Sequence, residues 1–263
     1  MKTEFLEIAK HAARAGAAVL EEWADRFTVS EKSPANLVTE ADFASQQAIQ
    51  RIIADRFPDH GFLGEEDCDT DSAGKSGYRW IVDPLDGTSN YVHRFPYYAV
   101  SIGLEHDGEL IAGVVLDPNR NELFSASRGG GAFLNDRPIR PSTTPRLDQA
   151  LVVASLPVNV GRDHFTVRQF LAVLTAAQHL QRTGSAALNL CYVACGRIDA
   201  FFSSSLKAWD VAGGALIVRE AGGRVTNMAG ERLDLADPEI LSSNGTALHE
   251  ELRAVCLSAR EIP

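Results

Sequence analysis

The chain has no apolar run of the roughly 18 residues that a membrane span needs, and no excess of positive charge. Its 25 Lys and Arg are outnumbered by 35 Asp and Glu, a formal charge of −10. General nucleic-acid binding normally shows a basic footprint, so that class is set aside, and no membrane partner is expected. Cysteine is scarce, with only Cys68, Cys191, Cys195 and Cys256. None forms a CxxC pair, and the seven histidines show no HExxH pattern, which argues against zinc. The thiols read as small buried apolar groups. The opening Met1-Lys2-Thr3-Glu4-Phe5 lacks a signal peptide's apolar core, so a cytoplasmic protein is expected. In that setting the sequon Asn244-Gly245-Thr246 carries no meaning. Internal repeats and low-complexity segments are also missing.

What is present is an ordinary globular composition, 45% hydrophobic over 263 residues, enough for one large domain or two closely joined halves. Helical spacing of Phe5, Ile8, Ala9, Ala12, Gly16, Leu20 and Trp23 predicts a helix over 4–24. A second runs from Thr39 to Phe57 with Phe43, Ile49, Ile52, Ile53 and Phe57 on one face, and Pro58 ends it. Residues 31–38 between them read as a loop, as does 68–77. Strands follow at Phe62-Leu63, Trp80–Val82, Val100–Leu104 and Leu110–Leu116, with hairpin signals at Asp107-Gly108, Asp117-Pro118-Asn119 and Gly129-Gly130-Gly131. The triple glycine lacks the Lys-Ser/Thr ending of a phosphate loop and reads as a tight turn. A polar linker at 141–145 suggests an N-terminal α+β half, 1–145, and a C-terminal half, 146–263, in one unit. In the latter, helices are expected at His164–Leu180 (Phe165, Phe170, Leu171, Leu174 and Ala177 inward), from Thr183-Gly184-Ser185 to Cys195, at Trp209–Ala221 and at Leu248–Ser258. Strands are expected at Leu151–Ala154, Ile198–Phe202 and Val225-Thr226. Clustered rather than strictly alternating elements point to layered α+β and not to a Rossmann sheet.

One segment, Trp80-Ile81-Val82-Asp83-Pro84-Leu85-Asp86-Gly87-Thr88-Ser89, joins an apolar strand to two aspartates three residues apart and then to a Gly-Thr-Ser turn. Carboxylate oxygens suit a hard divalent cation. The free N–H groups of a short helix opening at Gly87 and Thr88 suit an anion. Two carboxylates that close would repel each other without a cation between them. Two further acidic segments leave alternatives open on their own. Gly64-Glu65-Glu66-Asp67 reads as metal ligands or as a charged loop. Asp210, opening the Trp209–Ala221 helix, reads as a ligand or as a helix cap.

Two phosphatase families use an Asp-Gly-Thr element. The haloacid dehalogenase type has Asp-x-Asp-Gly-Thr, which the three-residue spacing of Asp83 and Asp86 does not match. The chain instead resembles the inositol monophosphatase family of magnesium-dependent, lithium-sensitive phosphatases. The matching pieces are Asn36–Asp42, Gly64-Glu65-Glu66, Trp80–His93, Arg182–Ala187 and Trp209–Gly213, in the family's order.

That resemblance implies the layered αβαβα sandwich of the sugar phosphatases, a homodimer, and two or three Mg2+ per site. It implies that Glu65, Asp83 and the Leu85 carbonyl hold a first metal, and that Asp83, Asp86 and Asp210 hold a second. A third, weaker site would involve Glu65. Gly87 and Thr88 would bind phosphate through N–H groups. The Thr88 hydroxyl and Asp42 would orient and deprotonate the attacking water, with Glu65 in the catalytic set. Gly184, Ser185 and Ala186 would contact substrate. Lys32 stands where the family has a mobile-loop lysine; a merely solvated lysine is the other reading. The chain departs from inositol-specific members at Ser203, seven residues before Asp210, where those members have a substrate-binding glutamate. Ser203–Ser205 could instead meet another polyol, a sugar or a ribose, and Lys207 a second phosphate; a plain surface loop is the alternative. The expected function is a magnesium-dependent phosphomonoesterase of a small phosphorylated alcohol. The competing class is a regulatory binding protein that keeps the fold.

Overall fold

The structure, a computed structural model, describes residues 2–33, 36–66 and 76–260. Helix α1 (Lys2–Trp23) turns Phe5, Ala9, Ala12, Ala13, Ala17 and Leu20 inward, all buried. Its small residues let helix α2 (Glu40–Arg56) come close: a Cβ on Gly16 would lie 2.7 Å from Ile49 Cδ1. Helix α2 starts as expected, with Thr39 as N-cap and Asp42 closing a capping box, and Pro58 lies just past its C-cap Phe57.

The segment read as a loop is instead an antiparallel pair, β1 (Val29–Ser33) and β2 (Asn36–Thr39). The cap itself favours this, because an N-cap residue is extended: Thr39 sits at φ −128°, ψ 164° and so continues β2 into the helix. Phe43, expected to face inward, is 43% exposed. The buried face of α2 runs instead through Ala41, Asp42, Ser45, Gln46, Ile49 and Ile53, a polar stripe that an apolar periodicity does not register. Asp67, most of the 68–77 segment and the Lys32 side chain lie outside the described residues.

Strands β3 (Gly61–Gly64), β4 (Tyr78–Asp86), β5 (Ala99–His106), β6 (Glu109–Asp117), β7 (Glu122–Ser127), β8 (Gly131–Leu134) and β9 (Arg137–Pro138) form a seven-stranded sheet in that order. Only the β3–β4 pair is parallel. The Asp107-Gly108 turn joins β5 to β6 with both residues at positive φ, 50° and 78°. The triple glycine closes the β7–β8 hairpin, and Glu220 accepts the Gly129 and Gly131 N–H groups at 2.9 and 3.0 Å.

Strand alternation divides this sheet's side chains between two cores. Trp80, Val82, Val100, Ile102 and Val114 pack with α1 and α2. Ile81, Val115, Phe124 and Ala126 pack with helices α5 (Ala186–Ala194) and α6 (Ala208–Ala221). The other side of α5 and α6 meets Val153, Phe201 and Ile240 of a second sheet. That sheet contains β10 (Leu151–Ala154), β11 (His179–Gln181), β12 (Ala200–Ser203), β13 (Arg224–Thr226) and β14 (Ile240–Ser243), in the order β11-β10-β12-β14-β13. Its outer face, Val152, Ala154, Phe202 and Leu241, is buried in a third cluster with residues of α4 (Phe165–Ala176) and α7 (Leu248–Arg260). The layers are therefore αβαβα, as expected.

The helix expected over His164–Leu180 ends at Ala176, and Leu171 and Leu174, expected inward, are 54% and 47% exposed. Ala177 N–H closes the last turn on Val173 O, and His179 N–H then bonds Ala150 O, so the parallel edge strand β11 takes over. The strand expected at Ile198–Phe202 is shifted to Ala200–Ser203, because Asp199 is held by its N–H on Leu151 O and by its carboxylate on Ser142 and Leu151.

Candidate metal and phosphate site

Strands β4 and β5 pair residue by residue down to Asp83 opposite Ser101, and pairing resumes at Asp86 opposite Ala99. Three steps on β4 thus face two on β5. Side chains alternate along a strand, so residues three apart would ordinarily point to opposite faces. The bulge at Pro84-Leu85 adds the residue that restores a common face. Carboxylate oxygens of Asp83, Asp86 and Asp210 consequently all lie within 4.8 Å of one another.

Asp210 reaches the cluster from the first turn of α6 and also accepts the Lys207 N–H at 2.6 Å. The N-cap of that helix is Lys207 and not Asp210, which is its third residue; from there its carboxylate accepts the N-cap N–H and lies beside the other two aspartates. Asp83, 1% exposed, accepts the Leu85 N–H at 3.0 Å. Asp86 accepts the Ser185 hydroxyl, the Ala186 N–H at 3.2 Å and the Ala187 N–H at 2.7 Å.

Burial drives all three carboxyls towards the neutral form. Asp83 is pushed well above the usual carboxylate range by burial, reinforced by the charges of Glu65, Asp86 and Asp210. Asp210 rises likewise, by burial and then by Asp86. Burial pushes Asp86 up to about 6, and the hydrogen bonds from Ser185, Ala187 and Ala186 hold it from rising further. Asp83 and Asp86 are buried and Asp210 is half-buried, and such a group of acceptor-only oxygens with few donors is unfavourable as anions on its own. A hard divalent cation is the group it fits.

Of the other residues expected at the site, Thr88, Asp42 and the Leu85 carbonyl are brought together. Thr88 opens the short helix α3 (Thr88–Val92), and its hydroxyl lies 3.1 Å from Asp42 Oδ1 and 3.2 Å from the Leu85 carbonyl. Asp42 Oδ2 is held by the Thr39 N–H at 2.9 Å and the Thr39 hydroxyl at 2.6 Å. Burial raises the Asp42 pKa, against the Thr39 hydrogen bonds.

Gly87, at φ 105°, is the N-cap of α3, and no side chain caps that helix. The first N–H groups of a helix have no intrahelical acceptor, so those at α3 suit an incoming oxyanion. A side chain at Gly87 would lie 3.1 Å from Tyr97 O and 3.3 Å from Gly184 O, in addition to the left-handed backbone.

Glu65 follows β3 and donates its N–H to Val82 O at 3.1 Å. It is not among the three aspartates within 4.8 Å, yet its charge acts on Asp42, Asp83, Asp86 and Asp210. Gly184 is exposed at φ 92°, whereas Ser185 and Ala186 are buried. Ser203 is fully buried at the end of β12, its hydroxyl 3.4 Å from that of Ser205.

Two supporting residues escaped the sequence reading. Ser45 donates to the Pro84 carbonyl at 3.2 Å and so ties α2 to the bulge. Gln46 Oε1 accepts the Glu66 N–H at 3.0 Å, and Gly64 packs against its side chain, where a Cβ would come within 2.2 Å. The available signal was position: both lie three and four residues after Asp42, on the same helix face.

A sequence model of the inositol monophosphatase family matches residues 1–261. The chain belongs to the inositol monophosphatase family. Among relatives of this family, it is 41% identical over 237 residues to a Mesorhizobium japonicum protein named inositol-1-monophosphatase, covering 88% of each chain. It is 43% identical over 215 residues to a Xylella fastidiosa protein named Nus factor SuhB, covering 80% of this chain and 77% of that one. Among solved structures, the inositol monophosphatase of Anabaena superimposes with a TM-score of 0.87 at 36% identity, over 97% of this chain and 96% of that chain. The sandwich described above is thus the fold of the family's phosphatases. No helix of the described residues is long and apolar enough to cross a membrane.

Proposed function

We propose that the protein is a magnesium-dependent phosphomonoesterase that hydrolyses a small phosphorylated alcohol by direct attack of water. The observation that carries this reading is the convergence of Asp83, Asp86 and Asp210 within 4.8 Å, beside the uncapped start of α3 and the Thr88–Asp42 pair. Asp83, Asp86 and Asp210, with Glu65 and the Leu85 carbonyl, would hold two or three Mg2+. When bound, these ions would supply Lewis-acid polarisation of the phosphoryl oxygens and a more acidic water. The N–H groups of Gly87 and Thr88 would bind phosphate oxygens. The Thr88 hydroxyl would orient the attacking water, and Asp42 would take up the proton. Burial raises its pKa, which favours the uptake of a proton.

Residues 1–145 and 146–263 are proposed as two halves of one unit, since each sheet falls within one half and α5 and α6 lie between them. A homodimer is proposed on the family resemblance, and a cytoplasmic setting is proposed from the sequence. Inositol phosphate, histidinol phosphate, fructose 1,6-bisphosphate and a 3′-phosphonucleotide all remain within the substrate class. The serine at position 203 leaves no carboxylate there for an inositol ring.

The test is phosphate release from a panel of phosphate esters with Mg2+, read with malachite green. Release that lithium reduces is expected; no release from any ester would overturn the reading. A regulatory role beside catalysis is a second reading, supported by the name of the Xylella relative. A stoichiometric partner captured equally by the wild type and by Asp86→Asn would support it.

A further inference from the structure

The segment expected to touch substrate, Gly184-Ser185-Ala186, is occupied in a different way. Ser185 is the N-cap of α5, and the first three N–H groups of that helix, which have no intrahelical acceptor, are all used. Ala186 and Ala187 N–H bond Asp86, at 3.2 and 2.7 Å. Leu188 N–H bonds Ser185 Oγ, and Asn189 N–H bonds the Ser185 carbonyl, each at 3.2 Å. A serine hydroxyl has one proton to give, and Ser185 gives it to Asp86 Oδ2. Two donors thus occupy Asp86 Oδ2, while Oδ1 takes only the longer Ala186 bond and keeps lone-pair capacity for a cation.

The surroundings lock the same contact. Asn90, four residues beyond Asp86, donates to Thr183 O at 2.9 Å and to Tyr97 O at 2.7 Å. Gly87 and Gly184 meet so closely that a Cβ on Gly87 would lie 3.3 Å from Gly184 O, and one on Gly184 2.9 Å from Asn90 Nδ2. The bulge of the first sheet is in this way docked on the start of α5.

We infer that Ser185 is a positioning residue for cation binding: with the α5 N-terminus it holds the Asp86 carboxylate for the metal, and its hydroxyl has no proton left to give the substrate. The inference rests on the metal-dependent reading above. Recognition of the alcohol then falls to groups other than the Ser185 hydroxyl.

The test is calorimetric titration of Mg2+ into the full-length wild type, Ser185→Ala, Ser185→Gly and Ser185→Thr, with thermal melts in chelator. Glycine is accepted at an N-cap far better than alanine, so Ser185→Gly removes the hydroxyl and largely spares the helix start should the alanine variant fold poorly. Expected is a loss of Mg2+ affinity of about tenfold or more in Ser185→Ala and Ser185→Gly, with affinity near wild type in Ser185→Thr. Unchanged Mg2+ affinity with a raised KM would place Ser185 on the substrate and overturn the inference alone. A wild type that binds no Mg2+ would overturn the metal-dependent reading and this inference together.

Discussion

Replacing Gly113 with alanine should displace Asp210, although the two residues belong to different layers. Helix α6 lies on β5 and β6 through glycines and an alanine. A Cβ on Gly113 would come 2.5 Å from the Gly213 carbonyl oxygen, and one on Gly103 2.6 Å from Ala212 Cβ. A carbon and a carbonyl oxygen approach to only about 3.3 Å, so the variant must open the seam by roughly 0.8 Å. The obstacle is backbone, which cannot rotate away. Overpacking of this kind costs about 1–3 kcal/mol, which lowers the melting temperature of a chain this size by on the order of 5 °C. Asp210 stands one helical turn before Gly213, so the same shift carries its carboxylate away from Asp83 and Asp86. A misplacement near 1 Å can cost up to ~100-fold in rate. Thermal melts in chelator, Mg2+ titration and phosphate release would be compared with Gly161→Ala, where nothing lies within 4 Å of the added Cβ. If Gly113→Ala matches Gly161→Ala in all three, the seam does not set the position of Asp210.

Thr88→Ala should lower kcat by ~10²-fold or more while leaving Mg2+ affinity nearly intact, because it removes the hydroxyl beside Asp42 and leaves the capping box of α2 in place; equal turnover would remove Thr88 from the chemistry. Binding of Mg2+ at pH 7 should release protons, since burial raises Asp83 and Asp210 well above the usual range and Asp86 to about 6; calorimetry in buffers of different ionisation enthalpy would show it, and a buffer-independent heat would contradict it. His249 is buried between Thr226 and Ser243, and burial, then Arg224, pushes its pKa down to about 4. The unfolded chain therefore binds a proton that the folded one does not between about pH 6.5 and about 4, so this contribution to stability is full above that window and is lost as pH falls through it. His249→Gln should show a shallower fall in melting temperature over that range than the wild type, and parallel curves would exclude the histidine as the cause.

The acidic motifs were legible in the sequence because each lies at an element boundary, where composition changes abruptly. Asp83 and Asp86 end a strand, Asp42 and Asp210 sit in the first turns of helices, and Glu65 follows β3. The bulge was not legible as a bulge. The sequence shows that two aspartates three apart must share a face to act together, while the register that achieves it depends on β5, some fifteen residues away. Ser45 and Gln46 were hidden for a related reason. Their partners are a carbonyl and an N–H on other elements, and backbone groups have no sequence signature. Helix α4 was overrun because Leu171 and Leu174 fit the helical period yet face outward, and the chain after Ala176 is drawn into the sheet by β10.

The architecture of the site answers the repulsion between the carboxylates it brings together. No single element could hold three carboxylates within 4.8 Å by its own folding energy, since burial and mutual repulsion both oppose it. Here the opposition is spread across layers: β4 supplies two aspartates, α6 the third, α2 the Asp42–Thr88 contact, and α5 the donors that hold Asp86. Each carboxylate is kept in place by packing that its own layer already needs. The site is therefore assembled by the tertiary fold, and a cation bound there would join the inner helix pair to the first sheet at the point where their charges are least compatible without it.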